Sequence, residues 1–286
     1  MRVLLCTDGS TNGQSALRFG GYLARSSTEP VTLLGVVERP RDRATIASAL
    51  EDGRRLLPAN VGTQVKIRQG HAAEEILDEI ISGTYDLVAV GALGKRGVTR
   101  FMLGSTAERV ARFAAVPVLI VQGVRESVSR VLICTAAGEP GLSSVSFGGR
   151  VARLVGAQAT VLHVMSQVPA APGIPPASLE HLEASADVLI AQHTLEGLHL
   201  EQALAILQGQ GVTADARVRH GLVVDEILVE VCEGDYDLVV VGAHPSVGLM
   251  RFLLDDIAHQ IISHTDRPVL VAKMHPPVRS TIESAC

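Results

Sequence analysis

The chain repeats itself, and a repeat admits only folds that one copy, about half the chain, can adopt. Arg2-Val3-Leu4-Leu5-Cys6-Thr7 recurs as Arg130-Val131-Leu132-Ile133-Cys134-Thr135, 128 residues later. The same offset pairs Phe19-Gly20-Gly21 with Phe147-Gly148-Gly149, Ala24-Arg25 with Ala152-Arg153, and Val36 with Val164. Further along the offset is 151. It pairs Glu75-Ile76-Leu77 with Glu226-Ile227-Leu228, Tyr85-Asp86-Leu87-Val88 with Tyr236-Asp237-Leu238-Val239, and Pro117-Val118-Leu119 with Pro268-Val269-Leu270. The difference of 23 residues is an insertion in the second half, between Met165 and about Val218, where a Pro-rich stretch spans residues 168–176. Half of 286 residues is enough to bury a core without disulfides or metals. The expected organisation is a domain at 1–124, a second at 129–275 with the insertion at about 166–210, and a tail at 276–286.

Each copy alternates short β-branched runs with helical patterns. In the first half the predicted strands are residues 2–7, 31–37, 63–68, 86–91 and 117–121. They read as continuously apolar, as strands buried on both faces do. Helices fit 13–27, 41–57, 72–83 and 104–115; Ile76, Leu77, Ile80 and Ile81 recur at helical spacing. Strand and helix in alternation imply a doubly wound parallel sheet with right-handed crossovers, an α/β fold of Rossmann-like type repeated in tandem. Such sheets take ligands beyond the carboxyl ends of their strands, at the switch point of strand order.

Composition narrows the function. The net charge is −5, Lys and Arg are scattered, aromatic residues make up 3%, and Trp is absent. A nucleic-acid binder would show a clustered basic excess and stacking platforms, so nucleic acid is not an expected partner. No apolar run approaches the roughly 18 residues of a membrane span, and the apolar start is too short for a secretory signal, so a cytoplasmic protein without a membrane partner is expected. Cys6, Cys134, Cys232 and Cys286 have no ligand spacing and read as buried thiols. The histidines show no metal spacing either. Glu74, Glu75, Asp78 and Glu79 read as a solvated helix face.

The connection after the fourth strand stands out. Gly91-Ala92-Leu93-Gly94-Lys95-Arg96-Gly97-Val98-Thr99-Arg100-Phe101-Met102-Leu103-Gly104-Ser105-Thr106 has the pattern G-x2-G-x9-G-S-T. Gly91 and Gly94 allow a sharp turn and close backbone approach. Gly104, Ser105 and Thr106 open a helix, whose unpaired N–H groups and positive end favour phosphate. Lys95, Arg96 and Arg100 add positive charge. A glycine-rich connector with an ordinary helix cap would read the same way. The pattern is neither a phosphate-binding Walker loop nor a GxGxxG fingerprint. Thr7 and Asp8 close the first strand; the Asp is either an acceptor for ribose hydroxyls or a turn residue. Val36, near the end of the second strand, could read an adenine edge with its backbone. His71 ends the third strand on the same rim.

Together these residues resemble the universal stress protein family in its tandem two-domain form. The resemblance covers nearly all of 1–124 and, apart from the insertion, 129–275. It implies a five-stranded parallel sheet per domain, of the kind called adenine nucleotide alpha hydrolase-like. The loop spacing is that of the family's ATP-binding branch. The resemblance therefore gives nucleoside contact to Thr7 and Asp8, adenine contact to Val36, and phosphate contact to Gly91, Ala92, Gly94, Lys95, Gly104, Ser105 and Thr106. ATP is the implied ligand, with magnesium held through the phosphates. No catalytic residue is assigned, since no general base or nucleophile is well placed for fast hydrolysis. The family's edge pairing implies an internal pseudo-dimer through the strands of Val118 and Val269, and a homodimer is compatible with it. The alternatives are a slow ATPase, an adenylyl-transferring enzyme of the same α/β class, and a nucleotide-free interaction module.

The second half departs from the pattern. Asp8 becomes Ala136, Gly94 becomes Pro245, and Gly104-Ser105 becomes Asp255-Asp256; Gly242 and Gly248 remain. It reads as a copy that keeps the fold and has lost the ligand site, with Leu179, Leu182, Leu189 and Leu200 of the insertion packing on the domain.

Overall fold

A computed structural model describes residues 1–57, 61–93, 103–123, 127–166, 184–243 and 256–273. The first half runs β1 (Val3–Thr7), α1 (Thr11–Ala24), β2 (Val31–Val37), a 3-10 turn (Pro40–Asp42), α2 (Arg43–Leu56), β3 (Thr63–Gln69), α3 (Ala72–Ser82), β4 (Leu87–Gly91), α4 (Ser105–Phe113) and β5 (Val118–Val121). The second runs β6 (Arg130–Thr135), α5 (Glu139–Val155), β7 (Gln158–Met165), α6 (Ala186–Ala191), α7 (Leu195–Gly209), β8 (Ala214–His220), α8 (Val223–Glu233), β9 (Leu238–Ala243), α9 (Asp256–His264) and β10 (Val269–Lys273).

Within each half the strands are parallel, in the order 3-2-1-4-5 and its counterpart. The two sets join into one sheet of ten, ordered β3-β2-β1-β4-β5-β10-β9-β6-β7-β8. The joint is the single antiparallel pairing of that sheet, β5 with β10, in the register Val118↔Val271, Leu119↔Leu270 and Ile120↔Val269. The strands of Val118 and Val269 thus lie side by side at the centre.

Helices cover both faces, because β1, β2, β4 and β5 are buried on both sides and would otherwise expose apolar surface to water. On one face Leu17 and Phe19 of α1, Ile46 and Leu50 of α2, Val151 of α5 and Leu207 of α7 form a core that crosses from one half to the other. On the other, Ile76 and Ile80 of α3, Val110 of α4, Ile227 of α8 and Ile261 of α9 do the same. Ser10 starts α1 by accepting the Gly13 N–H at 3.1 Å.

Three expectations need correcting. Continuous apolarity fails for β3, Thr-Gln-Val-Lys-Ile-Arg-Gln, and for β8. These are the outer edges of the sheet, covered from fewer directions, so charge is tolerated there and Val65 is 45% exposed. Nor is the whole acidic run on α3 a solvated face: Glu74 and Asp78 are exposed, but Glu79 is not. Glu79 is 4% exposed and sits beneath the β2–β3 edge, bonded by Lys66 Nζ at 2.6 Å and the Tyr85 hydroxyl at 2.6 Å, with Arg68 at 3.4 Å. The second half repeats the device at the 151 offset: Glu230, 1% exposed, accepts from Arg219 at 2.6 Å, Tyr236 at 2.7 Å and Arg217 at 2.9 Å. The thiols also differ: Cys6 is buried, Cys134 half-buried and Cys232 exposed, while Cys286 lies outside the described residues.

α7 packs on β7, β8 and α5 as α2 packs on β2, β3 and α1, so the two helices are counterparts. The extra residues of the second half fall between β7 and α7 and include α6. Leu189 and Leu200 are fully buried. Leu179 and Leu182, with the Pro-rich stretch, lie outside the described residues.

Candidate functional site in the first domain

Strand order reverses between β1 and β4, so their carboxyl ends frame the cleft that a doubly wound sheet offers a ligand. Thr7 ends β1. Its buried hydroxyl accepts the Gly9 N–H at 3.1 Å, and Gly9 adopts φ +78, the left-handed region that favours glycine. Asp8, half-buried, accepts the Ser10 N–H through Oδ1 at 2.9 Å. That turn fixes the carboxylate on the rim. It satisfies the turn reading of Asp8 and also presents an acceptor there. Val36 lies one residue beyond the last β1–β2 register pair, Thr7↔Gly35, so β2 overhangs β1 at this position.

Gly91 ends β4 and Ala92, buried, follows it. A Cβ at Gly91 would come within 2.7 Å of the Asn12 backbone in α1. What this glycine makes room for is therefore the protein's own first helix, held tight against β4. The chain returns to the same point after residues 94–102: the Gly104 N–H donates to the Ala92 carbonyl at 2.8 Å. Gly104 is the extended residue before α4 and has no side chain to cap it. The first-turn N–H groups of α4 are thus presented beside the end of β4, with Ser105 exposed and Thr106 half-buried.

Thr7, Asp8, Val36, Gly91, Ala92, Gly104, Ser105 and Thr106 are accordingly brought to one rim of the sheet. Gly94 and Lys95 lie outside the described residues. His71 stands before α3 with an exposed ring, on the far side of β2. Among the described residues no group of three or more His, Cys, Asp or Glu could hold a metal.

The corresponding rim of the second half carries different residues. Ala136 follows β6 where Asp8 follows β1. The Thr135 hydroxyl lies 2.8 Å from His199 Nε2, and His163 Nδ1 donates to the Thr135 carbonyl at 3.2 Å. Both rings are more than nine-tenths buried, 6.1 Å apart between centroids. Burial, and then the neighbouring His163, pushes the His199 imidazole down. His163 occupies the position of Gly35 at the 128 offset, a large ring in place of no side chain. That substitution was visible in the sequence, but His199 comes from a helix beyond the insertion, and only the fold brings the two together. Pro245, Gly248 and Asp255 lie outside the described residues.

Fold and rim together define a tandem doubly wound α/β protein whose two strand-end rims carry different residues. The family model for the universal stress protein family matches twice, over residues 1–122 and 128–273, and the chain belongs to that family. A universal stress protein of Mycolicibacterium smegmatis is 25% identical over 296 aligned residues, 95% of this chain and 96% of that one. Universal stress protein Slr1230 of Synechocystis is 29% identical over 118 residues, only 41% of either chain. The crystal structure of a universal stress protein from Archaeoglobus fulgidus shares the fold with a TM-score of 0.66, at 19% identity, covering 95% of this chain and 96% of that one.

Proposed function

We propose that the first domain binds ATP, or another adenine nucleotide, and that the protein acts as a nucleotide-dependent regulator in a stress response. The observation that carries this reading is the convergence of Asp8, the Gly91–Ala92 strand end and the uncapped N-terminus of α4 on one switch-point rim, with the Gly104 N–H stapled to Ala92 at 2.8 Å. The donor set suits a nucleotide. A carboxylate faces ribose hydroxyls, overhanging β2 backbone at Val36 faces the base, and N–H groups with the Ser105 and Thr106 hydroxyls face phosphates. Gly94 and Lys95 extend the phosphate contacts, and magnesium is held mainly by those phosphates and water. The output is a signal to a protein partner rather than fast turnover. The two domains pair through β5 and β10 as an internal pseudo-dimer, and the protein works in the cytoplasm. Among the described residues no helix is long and apolar enough to cross a membrane.

Mass spectrometry of nucleotide released from the purified protein, followed by calorimetric titration with ATP, tests the reading. An adenine nucleotide at about one equivalent per chain is expected. Absence of both co-purified nucleotide and measurable ATP binding would overturn it. Labelled ATP separates the enzyme readings: release of pyrophosphate over many turnovers would favour adenylyl transfer.

A further inference from the structure

The seam between the halves carries a reciprocal pair of hydrogen bonds. At the 151 offset, position 122 corresponds to 273 and position 111 to 262. Gln122, just after β5, donates through Nε2 to the Ile262 carbonyl at 2.9 Å and the Arg267 carbonyl at 3.1 Å. Lys273, which ends β10, donates through Nζ to the Ala111 carbonyl at 2.6 Å. Each half thus reaches across to the last turn of the other half's last helix. The helices also end alike, Ala114 N–H on Val110 and Thr265 N–H on Ile261. Carbonyls of a last turn have no N–H further along their own helix, and the cross-seam donors take that role.

The two donors differ in charge, and the helices they hold differ in duty. Gln122 is neutral and holds α9, which belongs to the half that carries the His163–His199 pair. Lys273 is a cation and holds α4, whose opposite end lies beside the end of β4. A cation at a helix C-terminus complements the helix dipole. Lys273 is also half-buried, and that desolvation pushes its ammonium down to about 8. It carries charge at neutral pH against that burial, a cost a space-filling apolar residue would avoid.

We propose that Lys273 is a positioning residue through which the second domain holds α4 and so sets the nucleotide affinity of the first domain. This rests on the nucleotide reading given above. α4 has nine residues, about 13 Å of stiff rod at 1.5 Å per residue. A shift at Ala111 is therefore transmitted to the N–H groups at Ser105 and Thr106, which must be held to about 0.5 Å to serve a ligand. The second domain is in this view a brace for the first.

Three variants of the full chain test this: Lys273→Met, which keeps the stem and removes the donor, Lys273→Gln, which restores the neutral donor found at position 122, and Gln122→Met. ATP affinity by calorimetry should fall about fivefold or more in Lys273→Met, in the usual range of coupling between sites. It should recover most of that loss in Lys273→Gln and stay at the parent level in Gln122→Met. Amide hydrogen exchange without ligand should rise in α4 for Lys273→Met and in α9 for Gln122→Met. Parent-like affinity in Lys273→Met, or an equal loss in Gln122→Met, would overturn the proposal; the second outcome would mean that any damage to the seam has the same effect. If Lys273→Met does not fold, Lys273→Gln with unchanged affinity and unchanged α4 exchange supports it, and weakened affinity with loosened α4 counts against the donor as the agent. If the parent binds no ATP, the nucleotide reading falls and the link to affinity with it, while the exchange data still decide whether Lys273 holds α4.

Discussion

Asp8 and Gly91 illustrate how one position answers to two demands. Asp8 closes its own turn through the Ser10 N–H while facing the rim, and Gly91 leaves space that Asn12 fills. Gly91→Ala should therefore cost stability even without ligand, about 1–3 kcal/mol as overpacking does, read as a lower urea midpoint with unchanged slope. Gly104 stands at the start of α4, where the proposal puts the phosphates, so its replacement is aimed at the ligand. The double variant Asp8→Ala, Gly104→Val should lose most ATP binding in calorimetry and keep its fold. Undiminished affinity there would remove the site from this rim.

At the scale of elements, the paired networks beneath the outer strands matter most for stability. Burial alone would raise the Glu79 carboxyl; hydrogen bonds from Lys66 and Tyr85 and the charges of Lys66 and Arg68 outweigh it and leave it below the ordinary carboxylate value. Glu230 is lowered against the same burial by Tyr236, Arg219 and Arg217, and burial first, then Glu230, pushes the Tyr236 hydroxyl up to about 12. A carboxylate whose folded pKa is depressed contributes stability that is complete above its unfolded pKa and is lost as pH falls through the folded one. The urea midpoint of the parent should drop on acidification below about pH 4.5 more steeply than that of Glu79→Gln, Glu230→Gln. At neutral pH each substitution should cost about 1–3 kcal/mol, since it weakens buried partners. The networks show where sequence reading stopped. Tyr85 and Tyr236 stood out as repeat matches, yet Glu79 looked like one more surface carboxylate, because its burial depends on the place of β3 at the edge of the sheet. Strand positions, by contrast, were legible to within a residue or two, since apolar runs buried on both faces announce themselves locally. The rim was legible for the same reason at Asp8, Val36 and Gly104. The close fit of Gly91 to Asn12 and the meeting of His163 with His199 are tertiary events, with no local signature.

The molecule as a whole is one ten-stranded sheet with cores that cross its middle. The proposal assigns nucleotide to the first domain alone: calorimetric titration should saturate near one equivalent, and a value of two would show that the second rim also binds. ATP at a thousandfold over its dissociation constant should stabilise the chain by about 4 kcal/mol. The seam adds a pH dependence of its own. The Lys273 ammonium has a folded pKa of about 8 against an ordinary 10.5, so the folded state gives up that proton more readily than the unfolded one. Its unfavourable contribution is complete below about pH 8 and disappears as pH climbs toward 10.5. Between those values the parent should gain up to about 3 kcal/mol relative to Lys273→Met, measured as diverging urea midpoints. The antiparallel joint of β5 and β10 also gives the molecule a head and a tail. The strands of one half run opposite to those of the other, so the rims of the two halves look out from opposite margins. A macromolecule docked on the margin of the second half would therefore leave the margin of the first uncovered.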